Sequence, residues 1–479
     1  MQLIIALFGC QPALVGVEDT ATPSDTGKSD TLLPGDTGDT DDTDDTDDTS
    51  NVLEWPFGTA EVDLHADVDT VLEVTFTLQE AADATWVAYT FEDDTWQETP
   101  SRARGVGEHT QVLLGTPQDV IVTIELYAEI DGTVYVSSRQ LEAETGSLPG
   151  NLDDAELLLW EDEADPDPWL LTSVDVGSSN FYGPCYTVII DRKGRVVWYH
   201  LTSDSRLTMF PRVSQDGTHI LFDATTYYTF GSERPSLTRM TLDQTQVEIR
   251  EIDRMGLTYD ELPDGTILYD YNADGTRYEI HALYPDDTDE QVWSCYDWMQ
   301  EFRSVSYWDC AANTVLWNED SNTILYSMFQ TSTVVEVSWE TGEVVRQFGQ
   351  LEGAWAVDPE SSNLDLQHYP NYTADGTLIV STHVPGQAYQ QRAREFVVND
   401  TTQTLEEIWT YAGSGYYAEY AGEAKRLPSG HTLQGFGTDG AIHEINAQAQ
   451  MVWGVEWRNK LLGTATPFTD LYALNEGGW

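Results

Sequence analysis

With 479 residues and 22 Lys and Arg against 83 Asp and Glu, the chain carries a formal charge of −61. Nucleic acid is excluded as a partner, because neutralising phosphate needs Lys and Arg, and an anionic substrate would need a locally basic pocket. Sixteen Trp and 24 Tyr fit an aromatic-rich all-β protein outside the cytoplasm, long enough for more than one domain.

Residues 1–10, ending Leu7-Phe8-Gly9-Cys10, read as a lipoprotein-type signal, with Cys10 as the lipidated residue and a lipid anchor as the only membrane attachment. The run is short and lacks a positive start, as a start site placed too late would produce. Residues 11–51 are an acidic Asp/Thr-rich tether, since 18–49 holds 12 acidic residues and one Lys. Such a segment buries too little apolar surface to offset its ordering entropy, and like charges keep it extended. It has neither the fixed-position Gly nor the closing Glu of a calcium loop. These features predict an exported lipoprotein of the periplasm, outer membrane or cell surface.

Residues 52–147 alternate with period two, as in Val71-Leu72-Glu73-Val74-Thr75-Phe76-Thr77-Leu78 and Val120-Ile121-Val122-Thr123-Ile124-Glu125-Leu126-Tyr127, and predict a small β-sandwich. His65 and His109 are isolated and expected at its surface. Residues 148–168, acidic from Asp153 to Asp167, read as a linker. Residues 169–479 read as the next domain, in which a unit recurs about six times between Cys185 and Trp457: a turn, a short apolar strand, a variable loop, a second strand, another turn and an aromatic-bearing strand. Its turns include Asp216-Gly217-Thr218, Asp264-Gly265-Thr266, Asp375-Gly376-Thr377 and Ser429-Gly430-His431-Thr432. Strands such as Ile220-Leu221-Phe222, Ile267-Leu268-Tyr269 and Leu378-Ile379-Val380 come next, too short for helices. Four strands at this period predict a six-bladed β-propeller, with its chemistry on loops around a central channel.

No CxxC, HExxH, P-loop, GxSxG or GxGxxG motif dominates the chain, and no metal or cofactor is expected. His200, His219, His281 and His443 lie in or beside strands and read as structural. With Cys10 lipidated, Cys185, Cys295 and Cys310 remain. Cys295 and Cys310, 15 positions apart across one connection, are the pair placed for a disulfide, although spacing alone leaves their state open. Three residues carry the candidate chemistry. His368, in Gln367-His368-Tyr369-Pro370, stands at a strand entrance facing the channel. Arg392 opens the next strand, and His431 lies in a Ser-Gly-His-Thr turn. His383, after Leu378–Val380, is a further histidine able to enter the channel.

Five segments in order resemble the bacterial arylsulfotransferases: Ala312-Asn313-Thr314-Val315-Leu316-Trp317; Glu340-Thr341-Gly342-Glu343-Val344-Val345; Gln367-His368 with Asp375-Gly376-Thr377-Leu378; Arg392-Ala393-Arg394-Glu395-Phe396; and Arg426-Leu427-Pro428-Ser429-Gly430-His431-Thr432-Leu433. The resemblance spans roughly 170–457. It implies a periplasmic six-bladed propeller behind a β-sandwich, moving a sulfuryl group from a phenolic sulfate ester to a phenol without a nucleotide donor. A channel histidine would attack sulfur, and further His and Arg groups would stabilise the sulfuryl oxygens. Phenolic small molecules or sulfate esters are the implied partners. By position, His368 and Arg392 carry over as nucleophile and anion binder, whereas His431 stands where the family has Asn. Ala311 replaces a family His, Leu257-Thr258-Tyr259 replaces a His-Asp segment, Met328-Phe329 replaces a basic residue and Tyr369 replaces an Asp. These residues leave two expectations: an aryl-sulfate sulfotransferase with a reduced histidine set, or a catalytically inactive tethered propeller that binds a ligand or protein partner.

Overall fold

A computed structural model of the chain describes residues 53–92, 95–177, 183–203, 205–225, 234–273, 277–306, 308–413 and 415–475. The signal with Cys10 and the whole tether, read from residues 1–51, lie outside the described residues. Within them the protein is almost wholly β, with one α-helix of six residues, Cys295–Gln300, and no helix long and apolar enough to cross a membrane.

Two sheets open the described chain. One pairs Phe57–Leu64, Leu72–Leu78 and Gly107–Leu113, and the other centres on Ala82–Phe91 and Ile121–Ile130. Leu72–Leu78 buries every second residue, because successive side chains of a strand point to opposite faces. Leu72, Val74 and Phe76 thereby meet Val87, Tyr89, Ile124 and Leu126 in one core. The far end of the chain is bonded to these sheets. Tyr89 Oη donates to the Leu114 carbonyl at 2.6 Å and lies 3.0 Å from Tyr472 Oη. His65, expected at the surface, is buried here instead: its Nε2 donates to the Asp243 carbonyl at 3.0 Å. His109 is half-buried, 2.7 Å from the Gly105 carbonyl.

Six sheets of four or five strands succeed them in chain order among the described residues, antiparallel except where Ala356–Asp358 pairs parallel with Thr404–Tyr411, a propeller-like arrangement. The run of consecutive antiparallel strands in the second to sixth sheets begins with Arg212–Val213, Met255–Glu261, Ala312–Asn318, His368–Tyr372 and Gly422–Arg426, called here the first strand of each. The Asp-Gly turns behave as their composition requires. Gly217, Gly265, Gly376 and Gly430 all have φ between 72° and 88°, a left-handed conformation that costs glycine nothing. Cys295 and Cys310 are joined by a disulfide, with S–S 2.00 Å, while Cys185 is a buried free thiol.

Strands from opposite ends of the chain are exchanged between the first and last of these sheets. The first sheet (Trp169–Asp175, Cys185–Asp191, Val196–Ser203) takes Leu461–Leu462 and Thr466–Phe468 onto its first strand. The sixth takes Glu156–Trp160 onto Met451–Glu456. The stretch read as a linker thus contains a sheet strand. Its side chains are largely exposed, so it lacks the alternation by which half-buried strands are recognised.

A buried ionic cluster fastens these two sheets together. Glu444, fully buried on the sixth sheet, receives Arg192 Nη2 at 2.9 Å from the turn after the first sheet's second strand. It also accepts from the Asp165 amide at 2.6 Å, and its Oε1 lies 2.7 Å from His431 Nδ1. The Arg192 guanidinium sits 4.7 Å over the Trp453 ring, and Trp453 Nε1 donates back to the Arg192 carbonyl at 2.8 Å. Removing one member of a buried pair strands the other charge, at a cost of about 3–5 kcal/mol. Arg192→Ala is therefore expected to lower unfolding free energy by roughly that amount, with Arg192→Met/Glu444→Leu costing distinctly less. Urea unfolding curves of the three proteins test this, and equal losses would refute it.

Candidate functional site

One cavity gathers a residue from each of the six sheets or from the segment beside it. Its wall includes Met209 and Phe210 ahead of the second sheet's first strand, Leu257 on the third and Asn313 on the fourth. His368 and Tyr369 come from the fifth, Gly422 from the sixth, and Thr464 from between the two strands that complete the first. Phe329, Tyr420 and Ala421 complete the wall, and the cavity volume is ≈ 30 Å³, within ≈ 500 Å³ of space between atoms that includes open solvent.

The wall is held from behind by polar residues that end the apolar run of each second strand. Asp223, fully buried, accepts from the amides of Met209 at 3.0 Å and Phe210 at 2.8 Å, and burial raises its pKa to about 6. Asp270 accepts from the Thr258 amide at 2.8 Å, beside Leu257. Ser327 Oγ accepts from Gln367 Nε2 at 3.0 Å, beside His368. Asn313 Nδ2 donates to the Gln367 carbonyl at 2.7 Å, and Thr314 Oγ1 accepts from the Tyr369 amide at 3.0 Å. Sequence reasoning took the apolar triplets as strands and missed these positions. The available signal was the polar residue that comes after each triplet: Asp223, Asp270, Ser327 and Ser381.

His368 is the imidazole of this wall. Its Nδ1 lies 3.0 Å from the Leu366 carbonyl, which can only accept, so Nδ1 carries the hydrogen and Nε2 holds the lone pair. Nε2 has no hydrogen-bond partner among the described residues. Burial first, then the neighbouring His383, lower its pKa to about 3, against the pull of the Leu366 carbonyl. The ring stacks near Phe329 at 6.5 Å and lies 6.3 Å from His383, which is buried within Leu378–Val384. Leu366 and Tyr369 hold left-handed φ of 44° and 51°, each costing a non-glycine residue about 1–2 kcal/mol; the bonds to Asn313 and Thr314 offset that strain.

The other sequence candidates lie elsewhere. His431 occupies the turn of the hairpin that pairs Arg426 with Thr432, whereas wall residue Gly422 is at the hairpin's opposite end, paired with Phe436. Four strand residues separate the two, roughly 13 Å, and His431 belongs to the Glu444 cluster. Arg392, on the strand Gln387–Asn399 and paired with Thr382, is half-buried and is not a wall residue. The cations nearest the wall are already paired. Arg212 binds Asp260 and donates to the Tyr259 carbonyl at 2.9 Å. Lys425 lies 2.6 Å from Glu423 and 5.1 Å from the Tyr369 ring centre, and donates to the Ala465 carbonyl at 2.7 Å.

The remaining histidines pack against aromatic or polar neighbours. His200 stacks near Trp198 at 6.4 Å and His281 on Tyr271 at 4.2 Å. His219 Nδ1 lies 2.6 Å from Thr218 Oγ1, and His443 is ringed by Tyr411, Tyr416 and Phe436. Among the described residues no group of three His, Cys, Asp or Glu is arranged to hold a metal ion.

No family model matches the chain, and no curated protein matches it in sequence. Solved structures similar to it include a protein of unknown function from Bacteroides caccae, at 14% identity over 63% of this chain and 100% of that one, TM-score 0.45. The periplasmic gluconolactonase PpgL of Pseudomonas aeruginosa is similar at 12% identity over 80% and 98%, TM-score 0.38. Virginiamycin B lyase of Staphylococcus aureus is similar at 12% identity over 65% and 99%, TM-score 0.37.

The neutral state of His368 has a pH consequence. An unfolded histidine titrates near 6.5, so below that pH the unfolded chain binds a proton that the folded site refuses. The penalty is absent above about pH 6.5 and grows as pH falls towards 3, at about 1.4 kcal/mol per pH unit. Between pH 7 and pH 5, His368→Gln should therefore lose roughly 2 kcal/mol less stability than the native chain. Paired urea titrations at the two pH values measure this, and equal losses would refute it.

Proposed function

We propose that the chain is an exported, lipid-tethered protein whose six sheets form a six-bladed propeller behind a small β-sandwich. In this reading the propeller binds a small uncharged aromatic ligand in the His368 cavity and transfers nothing. The observation that carries the proposal is the electrostatics of the wall. Its imidazole is held neutral by burial, its other residues are apolar, aromatic or uncharged polar, and Arg212 and Lys425 are bound to Asp260 and Glu423. A sulfate ester arrives as an anion, and its transfer needs donors aimed at the sulfuryl oxygens, each worth about 3–4 kcal/mol in comparable oxyanion sites. The sequence places Ala311 and Phe329 where the arylsulfotransferases it resembles have basic groups. Phe329, Phe210 and Tyr369 instead suit a planar, uncharged ring.

One observation favours the second reading, sulfuryl transfer through His368. Its Nδ1–H tautomer leaves the Nε2 lone pair available, as a nucleophilic imidazole requires. The full-length chain, assayed with 4-nitrophenyl sulfate and excess phenol, separates the two. Binding of 4-nitrophenol, weakened at least tenfold by the bulkier His368→Trp, with no release of 4-nitrophenolate from the ester, is the expected result. Release that requires phenol and disappears in His368→Ala would establish the transferase instead.

A further inference from the structure

The outermost strand of the second sheet, Val247–Glu251, has a regular and uncovered edge. Unpaired strand edges invite pairing with another chain, and proteins blunt them with bulges, with Lys or Pro, or by covering them. The other five sheets do so. In each, the last strand of the antiparallel run meets its neighbour across a register shift, at Ile189/Ile190, Ile280/His281, Glu336/Val337, Glu395/Phe396 and Glu444/Ile445. Two of these edges also take an added strand, Ala356–Asp358 on Thr404–Tyr411 and Glu156–Trp160 on Met451–Glu456. By contrast, Val247–Glu251 pairs with Ser236–Met240 without any shift. It contains neither Lys nor Pro, and among the described residues no strand lies on its other side. Val247 is 49% and Ile249 65% exposed.

The hydrogen bonds at the two ends of the strand fix which groups face outward. The Thr241 amide donates to the Gln246 carbonyl at 3.1 Å, and the Ile252 amide to the Pro235 carbonyl at 2.9 Å. Bonded and non-bonded pairs alternate in an antiparallel ladder, so Gln246, Glu248, Arg250 and Ile252 bond inward. Val247, Ile249 and Glu251 therefore turn their N–H and C=O groups outward. Side chains alternate as well. Val247 and Ile249 border a groove on one face of the sheet, beside Phe222 and Met240, and Glu248 and Arg250 border a groove on the other. Arg250 is held at its rim by the Tyr284 carbonyl at 2.6 Å and Asp287 at 2.8 Å, with guanidinium N–H groups to spare.

We infer that this edge pairs with the same edge of a second copy of the chain, antiparallel about a two-fold axis at Ile249. In that register Ile249 meets its own equivalent, Val247 meets Glu251, and Glu248 meets Arg250. Every outward N–H and C=O of Val247, Ile249 and Glu251 then has a partner, about six backbone bonds in all. Glu248 and Arg250 fall in the pairs whose side chains approach most closely, where opposite charges stabilise and like charges do the reverse. The strand thereby selects its own register. Sliding the partner by two residues sets Glu248 against Glu248 in one direction and Arg250 against Arg250 in the other. Ile249 is covered by its equivalent, and the contact, being isologous, is complete at two copies.

Sedimentation equilibrium of the full-length chain over a hundredfold range of concentration tests this. The salt is held at about 0.15 M, which screens repulsion beyond about 8 Å between two chains of −61. A monomer–dimer equilibrium is expected, of the weak kind that small interfaces give. Glu248→Arg and Arg250→Glu each set like charges opposite one another and should weaken it at least tenfold. Mixed in equal amounts, the two variants oppose unlike charges at both pairs. A heterodimer should then return to within about threefold of the native affinity, although neither variant dimerises alone. A native chain that is monomeric throughout overturns the inference and leaves the edge to a strand of another protein. So does a dimer indifferent to both substitutions, or a pair of variants that keep the native circular dichroism yet stay monomeric when mixed.

Discussion

Holding the first of the six sheets to the last is the constraint on which the site depends. A cavity walled by residues from or beside all six sheets exists only while the first and last are held together, and two kinds of contact hold them. Backbone pairing supplies reach: Glu156–Trp160 joins the sixth sheet and Leu461–Leu462 the first. The Arg192–Glu444 pair, roofed by Trp453 and flanked by His431 and Asp165, supplies position. Buried ion pairs contribute little net stability but are strict about geometry, which suits a contact whose task is to set one sheet against another. His431 is thereby part of the frame, although its turn looks from sequence like a place for chemistry.

The same division between frame and site explains where the acidic residues go. Asp223 and Asp270 are buried and hold amides of the cavity wall. Glu444, Asp260 and Glu423 neutralise Arg192, Arg212 and Lys425. Cations are scarce in this chain, and those near its centre are committed to structure. The wall is left to aromatic rings, amides and an uncharged imidazole, a lining in which shape and hydrogen bonding decide what fits and net charge counts against a ligand.

Much of the frame was legible in the sequence. The Asp-Gly turns mark hairpins because their glycines need left-handed φ, and the short apolar triplets after them are strands. His368 was legible as a cavity residue from its place at the start of a first strand. What escaped was non-local. Glu156–Trp160 shows no alternation because its exposed side chains leave only backbone pairing to define it. His65 is buried only because the Asp243 carbonyl reaches it from far along the chain. Arg392 and His431 have the right chemistry in the right order, yet strand alternation and hairpin length carry them away from the cavity. The wall residues Met209, Phe210 and Tyr420 form no motif; they meet only when the sheets do.

The exchange of strands between the two ends also governs the order of assembly. Val174 cannot pair with Leu462 until nearly all the chain is available, so the first sheet lacks its inner edge while the four after it are already able to form. Such long-range pairing slows folding, because the closure entropy is lost before the contact is gained. Until then Trp169–Asp175 offers an open strand edge to any passing chain. The protein is therefore most exposed to mispairing during its own synthesis, and a nascent molecule stalled short of Leu461 would carry complete middle sheets and no finished cavity.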